Sequence, residues 1–373
     1  MREIFWVFSK LGATAFGGPF AVAHIEREVV EKRGWVSSSW FAGALGMMEI
    51  VPGPTATEMA IYCGYMRAGL WGGFLAGLCY TYPSFLMMLV LAGIYFGYGV
   101  VPSVSAFFNG ISPAVVAVLI HAAYRMARGS IGNAGHLFLF CLGFVVCYYL
   151  KAPVLLALLM GGVLGMLWEK MPRWGLGILL SGGQALLPIY FLISPLPGPS
   201  LAIPWPKLGL LFLHMLKIGS LVFGGGYVIV PFMAQDFVDK LHWLTPEEFL
   251  VGFGLGKATP GPLSITAAFV GYKVAGILGA LVGTVGMFFP CFAILLALLP
   301  TFERWRTHPS AHGFFRGVEA VTVGAVLAVA SGLIQEALSD WSSLGVLVGS
   351  LCLLPFLETV WIFVMAGVWG VVK

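Results

Sequence analysis

Two halves of this chain carry the same helix breakers in the same order. Phe5, Lys10, Gly12, Phe16, Gly17 and Gly18 recur as Phe212, Lys217, Gly219, Phe223, Gly224 and Gly225, an offset of 207. Pro52-Gly53-Pro54 recurs as Pro260-Gly261-Pro262 at 208, and Gly64-Tyr65 and Pro83 return as Gly271-Tyr272 and Pro290 at 207. These breakers lie inside strongly apolar stretches. In lipid, an interrupted helix leaves backbone donors and acceptors unpaired, which is tolerated only where protein or a watery cavity supplies partners. Matching interruptions in two halves point to a transporter's binding site.

The solvent follows from composition. Hydrophobic residues make up 59% of the chain and charged residues 10%, against roughly a quarter charged in an ordinary globular domain. The chain therefore reads as an all-α polytopic integral membrane protein. Its formal charge of +4 comes from scattered basic residues, so no nucleic-acid partner is expected. The first apolar segment lacks a charged n-region and a small-residue cleavage site and is expected to be retained. Six cysteines form no Cys-x-x-Cys pair and no pattern with His, so they read as packing residues, with no metal or cofactor. No zinc-protease, nucleophile-elbow or phosphate-loop motif is present, and the chain is not read as an enzyme.

At roughly 20 residues per helical crossing, apolar segments run at about 4–23, 40–65, 70–99, 106–127, 134–150 and 152–168. An unpaired one follows at about 175–195, then others at about 208–231, 246–272, 276–300, 314–336, 342–354 and 355–372. Several are short, so roughly 10–13 transmembrane segments are expected. The chain divides into a repeat at 1–172, a linker at 173–207 and a second repeat at 208–373. The linker holds the unpaired segment and a connector with prolines at 195, 197, 199, 204 and 206, which reads as extended rather than helical. Six crossings, one unpaired and six more would turn the second half over, giving inverted repeats. Under that count Arg27, Lys32 and Arg33 face away from Arg2, Arg67 and Lys240. The basic residues then split nine to seven, which sets no orientation.

Pro54 and Pro262 are each placed to start a half-helix whose amides and positive dipole end point into the membrane, an anion site by geometry. Thr55 and Thr57 follow the first, Ser264 and Thr266 the second, as hydroxyl donors. The pairs Gly17-Gly18 and Gly224-Gly225 let another backbone or an ion approach closely, or serve close helix packing. Lys257, three residues before Pro260, is the leading cation for an anion ligand; Lys10 and Lys217 either contact the anion or snorkel to the headgroups. Glu49 occupies the repeat position of Lys257 and Glu58 follows Pro54 by four. Because desolvation favours the neutral carboxyl, these two are the candidates to carry a coupling proton.

With these motifs in place, the chain resembles the chromate ion transporter (CHR) family in its long, two-domain form. The resemblance is carried by Phe16-Gly17-Gly18-Pro19 with Ala23-His24-Ile25, by Pro52-Gly53-Pro54-Thr55-Ala56-Thr57-Glu58, and by Ile61-Tyr62-Cys63-Gly64-Tyr65. In the second half it rests on Phe223-Gly224-Gly225-Gly226, Thr259-Pro260-Gly261-Pro262 and Gly271-Tyr272. It implies a multi-pass inner-membrane protein with antiparallel homologous halves that exports chromate by the proton motive force and confers resistance. Sulfate, a similar tetrahedral dianion, is expected to compete. The chain departs from the pattern at Lys257, where such proteins commonly carry Gln. Expected partners are the oxyanion, protons, membrane lipid and, in a homodimer, a second copy. A transporter of sulfate or another oxyanion, and a passive anion channel, use the same features.

Overall fold

Helices run wherever the breakers permit. The computed structural model describes residues 1–16, 18–48, 51–99, 101–170, 204–222, 226–299, 309–338 and 340–373. The unpaired segment at 175–195, most of the proline-rich connector, Gly17, Glu49, Gly224 and Gly225 lie outside them. The first half comprises α1 (Arg2–Thr14), α2 (Gly18–Glu26) running into a π turn (Arg27–Glu31), α3 (Ser38–Met48), α4 (Thr55–Tyr98), α5 (Pro102–Ser130), α6 (Ala134–Tyr148) and α7 (Val154–Lys170). The second comprises α8 (Pro204–Gly219), α9 (Ile229–Met233) with a π turn (Ala234–Lys240), α10 (Pro246–Ala258), a 3-10 turn (Leu263–Ile265) leading into α11 (Thr266–Leu298), α12 (Pro309–Ala337), α13 (Trp341–Leu353) and α14 (Thr359–Val372). No strand occurs among the described residues.

Neither α4 nor α11 is a single rod. Ala68 and Gly69 leave helical geometry, with Gly69 at φ +64°, and Ala275 and Gly276 do the same, with Gly276 at φ +57°. Each helix is therefore a hairpin with a short leg (55–67, and up to 274) and a long leg (70–98, and 277–298). Gly64 lies against the Gly72 carbonyl and Gly271 against that of Gly279. A side chain at any of these would hold the legs apart.

The Glu3 carboxylate lies 3.8 Å from Arg33 Nε and 3.5 Å from Arg67 Nη2. Residues 3, 33 and 67 thus share one face of the protein. The chain dips in along α1 and returns along α2, then dips along α3 and returns along the short leg of α4. The second half repeats this: Lys207 sits 5.4 Å over the Trp243 ring, and Lys273 Nζ is 2.6 Å from Glu248.

These contacts revise the span reading. The segments at about 4–23, 40–65, 208–231 and 246–272 do not cross but turn back at their breakers. A helix of 13 residues such as α1 extends only about 20 Å, short of the ~30 Å hydrocarbon core. Arg27, Lys32 and Arg33 consequently lie on the face of Arg2 and Arg67, and Lys240 on that of Lys207 and Lys273. The connector is also shorter than expected, because Pro204 and Pro206 lie in the first turn of α8. Proline is tolerated there, where no intrahelical amide bond is required.

The long legs of α4 and α11 run antiparallel. Gly73 packs on Leu296 and Gly77 on Phe292, while at the far end Phe96 stacks at 6.0 Å on Tyr272, beside the bend of α11. The two hairpin bends therefore lie on opposite faces, which makes the halves inverted repeats. The remaining helices are exchanged between halves: α5 packs on α13 and α14, and α12 on α6 and α7. Small residues form these contacts, Gly110 against Ala366 and Gly370, Gly317 against Gly161 and Gly165. Lipid supplies no hydrophobic drive between helices, so close backbone packing holds the exchange. Gly317→Ala places a methyl against the Gly161 carbonyl. Overpacking of this kind costs about 1–3 kcal/mol, so the detergent melting midpoint should fall while anion affinity is unchanged.

Candidate functional site

Inverted repeats bring the four dipping turns together. The Gly53 amide donates to the Val222 carbonyl at 2.7 Å, and the Gly261 amide donates to the Ala15 carbonyl at 2.8 Å. Both are the same bond, since Ala15 and Val222 stand 207 apart and Gly53 and Gly261 208 apart. Each Pro-Gly-Pro turn is thus pinned to the chain just past the first helix of the other half, at Ala15 or Val222. Gly261 holds φ +95°, and a methyl there would run into Ser84 Oγ. A methyl on Gly53 would lie 2.6 Å from Cys291 Sγ and 2.9 Å from Glu58 Oε1. Ser84 and Cys291 each follow the long-leg proline, Pro83 or Pro290, by one residue.

Pro54 and Pro262 sit just outside their helical turns, in extended geometry (ψ 114° and 137°). Thr57 and Glu58 amides both donate to the Pro54 carbonyl, at 2.8 and 3.1 Å, and Ile265 donates to Pro262 at 3.0 Å. The amides of Thr55 and Ala56, and of Leu263 and Ser264, lie too early in their turns to find a helical acceptor. Hydroxyls add to them unequally. Thr57 Oγ1 and Ser264 Oγ are fully buried with no partner among the described residues, whereas Thr266 Oγ1 donates to the Leu263 carbonyl at 2.9 Å. Thr55 is half-buried.

Glu58 is 0% exposed, and neither carboxyl oxygen has a hydrogen-bond partner among the described residues. Ser84 Oγ and Tyr80 Oη are likewise buried with no partner among them. Each buried polar group left unpaired costs about 1–3 kcal/mol. A set of them around two helix N-termini points to a partner that binds and leaves, a ligand or water.

The cations separate. Lys257 lies in the last turn of α10, with Nζ 5.3 Å from the Tyr227 ring centroid and no carboxylate within 4 Å among the described residues. Lys217 is bound to Asp236, which is 1% exposed and also holds His214 Nδ1 at 2.9 Å, with Lys240 at 3.6 Å. Lys10, its repeat mate, is exposed and unpaired among the described residues. It borders an open cavity of about 800 Å³ with Arg2, Ser9, Glu28 and Arg33. Gly18 opens α2; Gly17, Gly224, Gly225 and Glu49 lie outside the described residues.

Sequence reasoning did not single out Ser84, Tyr80 or Asp236. Ser84 had a signal, its place beside a repeated proline. Asp236 had a weaker one, standing 208 residues after Glu28 and four before Lys240, as Glu28 stands four before Lys32.

The sequence model of a family described as chromate transporter matches residues 2–166 and 209–371, one stretch in each half. A chromate transport protein of Cupriavidus metallidurans is 32% identical over 91% of this chain and 84% of its own. A probable chromate transport protein of Synechococcus elongatus is 31% identical over 91% and 86%, and a chromate transport protein of Pseudomonas aeruginosa 33% over 89% and 81%. No solved structure matches the chain.

Proposed function

The chain belongs to the chromate transporter family, and from that premise we propose that it exports chromate or a closely related tetrahedral oxyanion across the inner membrane, drawing on the proton motive force. The observation that carries the reading is the pair of half-helix N-termini, pinned by the Gly53–Val222 and Gly261–Ala15 bonds, with Thr57, Ser264 and Glu58 buried and unpartnered beside them. Free amides at a helix start suit an anion, and the aligned peptide dipoles favour its charge. In this reading Thr55, Ala56, Leu263 and Ser264 present amides, Thr57 and Ser264 present hydroxyls, and Lys257 supplies charge by leaving the Tyr227 ring. Thr266 positions the second turn through Leu263. Glu58 takes up and releases the coupling proton, and the glycine breaks allow the halves to move against each other.

Lys257→Met tests the cation. A charge-assisted hydrogen bond contributes about 1.5–3 kcal/mol, so KM for the anion should rise about tenfold or more. Protein abundance should hold, because Lys257 closes no ion pair among the described residues. An unchanged KM removes Lys257 from the site.

The reading as a whole is tested by uptake of labelled chromate into inverted vesicles, with and without an imposed proton motive force and with excess sulfate. Accumulation above equilibrium is expected in energised vesicles, with sulfate competing. Downhill flux that ignores the proton motive force would make the protein a channel. No protein-dependent flux of either anion would sink the oxyanion reading.

A further inference from the structure

Glu58 sits one helical turn after Pro54, on the half-helix that would hold the anion. Both of its oxygens are buried and unpartnered, and no Lys, Arg or His nitrogen approaches within 4 Å among the described residues. Among the described residues, the elements packed against α4 supply no counter-charge. From α11 the facing ionisable group is Cys291, which meets the space in front of Gly53 beside Glu58 Oε1. α3 carries no ionisable side chain, α1 and α2 keep Lys10 and His24 exposed, and Lys257 of α10 rests on Tyr227. The turn Leu263–Ile265 offers only the Ser264 hydroxyl. Tyr62, Cys63 and Tyr80 of α4 itself add no positive charge.

A dianion held by the Thr55 and Ala56 amides would therefore meet the Glu58 carboxyl within the same turn, while Lys257, the cation proposed to reach the anion, rests on Tyr227 rather than on Glu58. Ionised, the carboxyl repels the anion through a low-dielectric interior, where charges interact strongly. Neutral, its O–H is a donor that the anion can accept. We infer that this transporter moves its oxyanion together with a proton on Glu58, as co-transport in one direction rather than exchange. This rests on the oxyanion reading above and adds its coupling sign.

The repeat also sets the number. Four residues after Pro262 the second half has Thr266, already bonded to Leu263. Only one half carries the acid, so one proton accompanies each dianion and the moving complex bears one net negative charge. An inside-negative potential draws that charge outward, worth about fiftyfold accumulation per 100 mV, while an inward proton gradient opposes it. Export then runs on the electrical part of the proton motive force.

Purified full-length protein in liposomes tests this, with sulfate as a probe that stays a dianion across the range, the potential clamped and a pH dye inside. An inward sulfate gradient should acidify the lumen, and sulfate affinity should weaken by about tenfold per pH unit once Glu58 ionises. Glu58→Gln, which keeps the neutral form, should change affinity less than about twofold over that range and move no protons. Glu58→Asp should restore the pH dependence. Lumenal alkalinisation, or sulfate flux with no proton flux in wild-type protein, overturns co-transport while leaving the oxyanion reading intact. Absence of both sulfate and chromate flux overturns that reading and this inference with it.

Discussion

Gly261→Ala should bring chromate flux in vesicles down to background while the protein still folds. Three requirements converge on that glycine. Its φ of +95° lies in the left-handed region, where an L side chain costs about 1–2 kcal/mol. A methyl would strike Ser84 Oγ and stand 3.0 Å from Ser84 Cβ. Its amide donates to Ala15 across the interface of the halves, so relief of the clash must stretch the bond that positions the second turn. The amides of Leu263 and Ser264 would move with it, and anion recognition by backbone groups tolerates little displacement. The wider fold rests on the packing of α5, α12 and their exchanged partners and should persist, giving normal yield with a lowered but still cooperative melting transition. Gly53→Ala is the control. Its backbone is not at positive φ, so only the contacts with Cys291 and Glu58 oppose the methyl, and a partial loss is expected. Ser84→Ala in the Gly261→Ala protein removes the collision but not the backbone strain, and should recover only part of the flux. If Gly261→Ala retains half of wild-type flux, the turn is not part of the site.

Much of this arrangement was legible because the breakers themselves are repeated. The offsets located both Pro-Gly-Pro turns and the half-helices after Pro54 and Pro262. What they left out is depth. Apolar length cannot distinguish 26 residues that cross a membrane from 13 that enter and 13 that return, and so 40–65 and 246–272 read as crossings. The information that decides it lies in pairs distant in sequence, Glu3 with Arg33 and Arg67, and Lys207 with Trp243. Those contacts also return Arg27, Lys32 and Arg33 to the face of Arg2. The reciprocal pinning of each turn to the opposite half was equally hidden, because a backbone bond from Gly53 to Val222 uses no distinctive side chain. Within the site, the hydroxyls after each proline were visible as residue types. That Ser264 stays unpartnered among the described residues while Thr266 bonds Leu263 goes with the 3-10 geometry of the second turn, which nothing in its composition announces.

Lys217→Met should be far more damaging than Lys10→Met, although the repeat equates the two lysines. Lys217 is one of three basic side chains around an aspartate that is 1% exposed, and its ammonium shares Asp236 Oδ2 with His214. Removing one partner of a buried pair typically costs about 3–5 kcal/mol, because the other charge stays buried without compensation. His214 and Lys240 remain near Asp236 and Lys217 is itself about a third exposed, which places the expected loss at the low end of that range. Lys10 is exposed and makes no ion pair among the described residues, so Lys10→Met should fall within about 0.5 kcal/mol of wild type. In the first half the equivalent acid, Glu28, is held by Lys32 and Arg33 instead. The double variant Lys217→Met with Asp236→Asn removes the stranded charge along with its partner. It should recover most of the lost melting temperature, giving a strong coupling energy in a double-mutant cycle. Transport separates a structural role for Lys217 in the ion pair with Asp236 from contact with the anion. If the lysine acts through Asp236 alone, flux recovers in the double variant together with stability. If flux stays low while stability returns, Lys217 contacts the anion at some point in the cycle, and the ion pair with Asp236 is where it rests between turnovers.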